Sequence, residues 1–289
     1  MTVGKEERRV ALLFLAPALI LVLAFRIVPL LWGLHLSLTD ARGITPGAFI
    51  GLANYRELAT DPAFRDSIAN TILLIATLPV WITVPMLLAI LIHQGVPGGR
   101  FYRAVYFFPA ILSSVIVGSI FNVLLRRDGQ VNDVLSALGI APVDWLGNSA
   151  TALASLIAVQ LWATFGMSVL IFLAGLSTVP SDMIEAARLD GARLRHLIWF
   201  IIIPALRPII EFVAVVTTIG VLTSMFGLIY VMTAGGPGTS TTLPEFLIWI
   251  ELGKLGRPGY AAALSMVLFV IMAGLAWAQI RIMSRNVDV

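Results

Sequence analysis

Two kinds of residue in this chain have types and spacing that could do chemistry. The first is a short charged segment, Glu185-Ala186-Ala187-Arg188-Leu189-Asp190-Gly191-Ala192, followed by Pro204 and Pro208. Ala186, Ala187, Gly191 and Ala192 remove side-chain bulk, so another surface can come close to the backbone. Arg188, Arg193 and Arg195 ring that small-residue patch with charge. The pattern fits a docking surface for a partner, and an ordinary surface helix–turn–helix fits it as well. The second kind is a scatter of polar and aromatic side chains inside apolar stretches, among them Asn122, Gln160, Trp162, Ser224 and Tyr230. They offer hydrogen bonds and aromatic faces to a polar solute. Threonine and serine in such places also bond to their own helix, and tryptophan also anchors at interfaces.

Other chemistries lack their residues. With no cysteine there is no disulfide, thiol nucleophile or thiolate metal ligand. His35, His93 and His196 are too far apart in sequence to read as a metal motif. No clustered His, Asp or Cys in the apolar stretches supplies a nucleophile, base or metal ligand, so the chain reads as non-catalytic. Two charges fall in or beside apolar stretches, where an ionisable group is a functional candidate by default. Arg26 can reach an interface. Glu211 either pairs with Arg207 four residues back or serves as the proton-coupling carboxylate of a secondary carrier, the rival reading of this chain.

The elements that must position these residues are membrane spans. Of 289 residues 59% are hydrophobic and 12% charged, with mean hydropathy +0.96, against about 25% charged in a soluble domain. Apolar blocks near the roughly 20 residues that cross hydrocarbon occur at 10–33, 70–93, 104–125, 151–174, 208–232 and 261–280. This predicts an all-α polytopic protein with six transmembrane helices in a single domain, 1–289. Lys5, Arg8 and Arg9 precede the first block, which is too long for a signal-peptide core and reads as an uncleaved span.

Six spans put both termini on one side. Segments 1–9, 94–103, 175–207 and 281–289 carry 11 Lys and Arg in 61 residues, whereas 34–69, 126–150 and 233–260 carry 7 in 89. The positive-inside rule places the termini and the Glu185 segment, between spans 4 and 5, in the cytoplasm. The pI of 9.6 reflects these span-flanking charges and not nucleic-acid binding. Within the segment, Asp182 caps a helix from Met183 to Leu189, Asp190-Gly191 breaks it, a second helix starts at Ala192, and Pro204 and Pro208 end or kink that one.

Glu185-Ala186-Ala187, three residues, Gly191-Ala192, eleven residues and Pro204 resembles the EAA motif of bacterial ABC importer permeases. The version is similar to the carbohydrate-uptake permeases, the family of the first membrane subunits of maltose and glycerol-phosphate importers. Further landmarks agree in order: Gly51-Leu52-Ala53-Asn54-Tyr55, Asp144-Trp145-Leu146, Gly235-Gly236-Pro237-Gly238 and Gly259-Tyr260-Ala261-Ala262-Ala263. The sequence departs from the family pattern at Ile198, often Phe, and at Gly227, often Asp.

The resemblance implies a permease subunit of an ATP-driven importer in the bacterial cytoplasmic (inner) membrane. Its coupling loop, 181–204, would sit in a cleft of an ATP-binding subunit. Glu185 and Asp190 would make polar contacts, Gly191 the bend, and Ala186, Ala187 and Ala192 the close fit. Partners would be an ATP-binding subunit dimer, a second permease, an extracytoplasmic solute-binding protein and the lipid bilayer. The chain has no G-x-x-x-x-G-K-[ST] loop and only two lysines, Lys5 and Lys254, so ATP and Mg belong to the partner and no cofactor to this chain. The cargo would be an oligosaccharide, amino sugar or polyol. Gln160, Trp162 and Ser224, then Asn122 and Tyr230, are the expected pathway residues. The segments Gly51 to Phe64 and Gly235 to Thr242 would meet the binding protein or simply anchor the spans.

Overall fold

The computed structural model describes residues 5–93 and 99–284. Among the described residues the regular structure is helical, with two isolated bridges, Thr39–Phe49 and Arg42–Thr45. Five helices are long and apolar enough to cross a membrane. They are α1 (Leu12–Ser37), α3 (Pro62–His93), α7 (Ser149–Leu176), α10 (Arg207–Met232) and α12 (Pro258–Arg281). Shorter helices lie between them: α2 (Ala53–Thr60), α4 (Gly99–Ile111), α5 (Ser114–Leu124), α6 (Gln130–Ala137), α8 (Ser181–Leu189), α9 (Leu194–Ala205) and α11 (Pro244–Trp249).

Three boundaries differ from expectation. α1 runs on to Ser37, and α3 begins at Pro62, well before residue 70. The expected straight span at 104–125 is instead a pair, α4 and α5, bent by 110°. Pro109 supplies no N–H, and its ring crowds the carbonyl four residues back. The helix ends two residues later at Ile111, and Ser113, in extended conformation, caps α5 by accepting the Ile116 N–H at 3.4 Å. Proline also explains two π turns, Leu23–Ile27 and Ile198–Ile202, which lie just before Pro29 and Pro204. One widened turn relieves the same clash without ending the helix.

The chain forms two compact units, residues 1–61 with 247–271 and residues 62–246 with 272–289. In the first, Asn54 ties the end of α1, donating to Ser37 O at 2.9 Å and Thr39 O at 2.8 Å. Arg257 reaches Glu57 at 2.6 Å and Glu251 at 3.5 Å, and Tyr260 donates to Asp61 at 2.6 Å. These bonds fasten α2 to the start of α12. In the second unit, Met86, Ala89 and Ile90 of α3 pack on Val169, Phe172 and Leu176 of α7, with Ile202, Leu206 and Val213 completing the core. Gly166 and Gly175 let α7 come close: a Cβ at Gly166 would meet the Tyr106 backbone, and one at Gly175 would meet Ile209.

Candidate functional site

The segment from Pro180 to Ala192 is built by local rules. Pro180, extended at φ −60° and ψ 128°, occupies the position before α8, so the helix begins at Ser181. Asp182 therefore lies in the first turn and is not the cap, a place where a carboxylate still suits the helix dipole. At the other end, Ala192 N–H donates to Ala187 O and Gly191 N–H to Arg188 O, both at 3.0 Å. These two bonds define a Schellman cap, which requires the left-handed conformation that Gly191 adopts at φ +80°. The second helix starts at Leu194, behind Arg193, and not at Ala192.

Glu185, Ala186, Asp190 and Gly191 are exposed, and Ala187 and Ala192 half-buried. Leu189, at the end of this helix, is 89% exposed. Behind it, Ile184, Glu185 and Arg188 line a 740 Å³ pocket with His93, Ser177 and Val179.

Inside the second unit, two pathway candidates meet. Gln160 Nε2 donates to Ser224 Oγ at 2.8 Å, although 64 residues separate them. The pair forms a wall common to two cavities. One, of 210 Å³, also touches Trp81, Ser168 and Thr217; the other, of 510 Å³, also touches Leu112, Thr223 and Phe226. Gln160 is buried, so the bond satisfies an amide that would otherwise cost about 1–3 kcal/mol.

The other three candidates stand elsewhere. Asn122 uses its amide on the carbonyls of Val231 and Met232, at 3.0 and 3.1 Å, where the last turn of α10 leaves them unpaired. Trp162 packs edge-on against Phe121, with centroids 5.1 Å apart, and Tyr230 stacks on Phe226 at 5.8 Å. Thr164, Thr218 and Thr223 bond to carbonyls four residues back in their own helices.

Ser224 can face Gln160 because α10 is interrupted there. Its first part ends at Thr223, and the second restarts at Phe226. The restarted turn lies tightly against α5: a Cβ on Gly227 would collide with the Ser114 side chain, and Gly118 faces Leu228 and Val231. A larger residue at 227 would not fit, which gives a steric reason for the departure at this position. The Glu245 carboxyl of α11, a residue that sequence reasoning overlooked, lies near the backbone N–H groups of Met225 and Phe226. Its signal was visible: it is the only ionisable side chain in 233–246. Burial, partly offset by those two N–H groups, raises its carboxyl from 4.5 to about 7.

Glu211, the residue on which the carrier reading depends, accepts from Arg207 Nε at 3.1 Å in the first turns of α10. Of the two loops, 235–242 is anchored by Asn70, which donates to Thr239 O at 2.9 Å and Thr242 O at 3.0 Å. In the loop after α5, Asn132 gathers the carbonyls of Arg126, Arg127 and Val143.

Residues 43–280 match the family described as binding-protein-dependent transport system inner membrane component. The chain is 34% identical to the multiple sugar-binding transport system permease protein MsmF of Streptococcus mutans, over 93% of each chain. It is 32% identical to the lactose transport system permease protein LacF of Rhizobium radiobacter, over 92% of this chain and 91% of that one. Its fold is similar to a chain in the crystal structure of a bacterial ABC transporter involved in import of the acidic polysaccharide alginate. There the TM-score is 0.86, with 24% identity over 98% of this chain and 99% of that one.

Proposed function

We infer function from one premise: the chain belongs to the family of inner membrane components of binding-protein-dependent transport systems. On that footing it is the permease subunit of an ATP-driven importer for a carbohydrate, an oligosaccharide, amino sugar or polyol handed over by a solute-binding protein. Relatives named for multiple sugars and for lactose support the cargo class. We assign six spans in one domain, 1–289, counting the bent pair α4–α5 as the third. Both termini and the coupling loop, 181–204, face the cytoplasm.

The observation that carries the mechanism is the Schellman-capped α8 between α7 and α10. A rigid, exposed helix whose tip is held by backbone bonds can transmit a push from a partner directly into both spans. Glu185 and Asp190 supply polar contacts to an ATP-binding subunit, and Ala186, Ala187 and Ala192 permit close approach. Gly191 fixes the turn. ATP and Mg act on that partner, which works as a dimer with a second permease completing the path. Gln160 and Ser224 line the path in this subunit, with Trp162, Asn122 and Tyr230 as its structural surround. The carrier alternative loses its residue, because Glu211 is already paired with Arg207.

The test is to purify the complex from its native membrane through a tag on this chain, identify the co-purifying subunits and reconstitute it. Uptake of radiolabelled maltose, lactose and raffinose is then measured with the co-purified binding protein outside. Transport that requires luminal ATP and ignores an imposed proton gradient is expected. Transport driven by the proton gradient alone would overturn the reading.

A further inference from the structure

We propose that the wall built on Gln160 and Ser224 is a charge filter: it admits an uncharged, hydroxyl-bearing saccharide and excludes anionic and cationic ones. The inference rests on the importer reading and narrows the cargo class that reading leaves open.

Four residues, Gln160, Thr164, Met167 and Ser224, line both the 210 Å³ and the 510 Å³ cavity. The two spaces are therefore neighbours across one wall, and the 2.8 Å bond from Gln160 to Ser224 lies in it. No Asp, Glu, Lys, Arg or His is among the described residues that line either cavity. The helix that carries Gln160, α7, has none along its whole length, Ser149–Leu176. On α10 the charged side chains are Arg207 and Glu211. They lie more than three helical turns before Ser224 and are paired with each other at 3.1 Å.

What the wall does offer is neutral hydrogen bonding. Gln160 is buried and donates to Ser224, which is itself exposed. Thr164 and Thr223 give their hydroxyl hydrogens to carbonyls four residues back, at 2.9 and 2.8 Å, and so meet a solute as acceptors. Ser168 and Thr217 add two more hydroxyls to the smaller cavity.

This set of groups sorts solutes by charge. A carboxylate, phosphate or ammonium at the wall gives up its hydration and meets no opposite charge among these lining residues, a far larger penalty than a neutral group pays. A sugar hydroxyl donates as well as accepts. It can take the Gln160 amide hydrogen and return a hydrogen bond to Ser224, so one neutral bond is exchanged for others of similar strength at small net cost. A solute without hydroxyls would leave the buried amide unpaired, the circumstance in which a polar site discriminates most strongly.

The chain has no native cysteine, so one introduced thiol probes the cavity directly. Thr217→Cys is labelled in the tag-purified complex with hydroxyethyl, sulfonatoethyl and trimethylammonioethyl methanethiosulfonate, which are neutral, anionic and cationic. Mass spectrometry of this chain counts the label. Ile44→Cys, at a fully exposed loop position, corrects for the reagents' own reactivity. After that correction the neutral reagent should react at least tenfold faster than either charged one. Ser224→Asp, whose carboxylate keeps the Gln160 amide as donor, should make the cationic reagent at least tenfold faster than the anionic. A smaller preference in either arm overturns the proposal, as does a cavity that the neutral reagent fails to enter. If Ser224→Asp does not assemble, the Thr217→Cys ratios alone decide. The solute released by denaturing the native binding protein should be an uncharged saccharide, and a uronate, phosphate ester or amine would also overturn the filter. Labelling needs no transport, so charge-indifferent labelling and proton-driven uptake separate a failure of this proposal from a failure of the importer reading.

Discussion

Replacing Gly191 should uncouple the docking helix from the spans without unfolding the protein. At φ +80° a residue with a Cβ pays about 1–2 kcal/mol in the left-handed region. No heavy atom lies within 4 Å of where that Cβ would be, so packing adds nothing to the cost. A penalty of that size lowers the population of the capped turn by a factor of about 5–30. The two bonds from Gly191 and Ala192 to Arg188 and Ala187 are lost together. We therefore expect Gly191→Ala and Gly191→Leu to insert normally while transport per ATP hydrolysed drops several-fold in proteoliposomes. Asparagine tolerates the left-handed region, so Gly191→Asn should recover most of the coupling. Normal coupling in Gly191→Leu, with the ATPase still co-purifying, would refute the reasoning; so would equal defects in the Ala and Asn variants.

Further outcomes follow from the packing. Gly227→Ala drives a methyl into the Ser114 side chain and should lower stability by about 1–3 kcal/mol, with Ser114→Gly restoring it in the double variant; thermal unfolding of the purified complex reads both. Asn70→Ala leaves the carbonyls of Thr239 and Thr242 without their donor and should make loop 235–242 several-fold more sensitive to proteolysis from outside. Arg257→Met removes the partner of buried Glu251 and should cost about 3 kcal/mol, again by thermal unfolding. Burial raises the Glu251 carboxyl, with Arg257 opposing, so its neutral form is favoured and stability should decline as pH rises above the ordinary carboxylate range. Arg257→Met should steepen that decline, and an unchanged pH profile in the variant would contradict it.

Much of the chain was legible because the signals were local. An apolar run of span length needs only its own residues to be recognised. Asp190-Gly191 predicted a bend because only glycine enters the left-handed region freely, and the Schellman cap realises that bend. The Arg207–Glu211 pair was readable from spacing along one helix. The start of α8 was not, because Pro180 restricts the preceding turn more strongly than Asp182 attracts a cap. The segment 104–125, expected as one straight helix, is bent for a related reason. Apolar length says that a segment suits the bilayer, yet Pro109 and the Ser113 cap decide that its chain direction turns by 110°.

The five polar candidates show where local reading stops. Their composition was plain, but in a span that is apolar on nearly every face, periodicity does not say which side meets a neighbour. Tertiary packing brought Gln160 to Ser224, turned Asn122 to the end of α10 and placed Trp162 on Phe121. It also buried Glu245 beside the break in α10, where loss of water raises its carboxyl. By itself the sequence located the apolar span-length segments, their expected sidedness and the bend at Gly191, all set by hydropathy, charge and backbone preference within a few residues. The tertiary structure decided which polar groups face one another, because desolvation and hydrogen bonding between distant segments exist only after the helices pack.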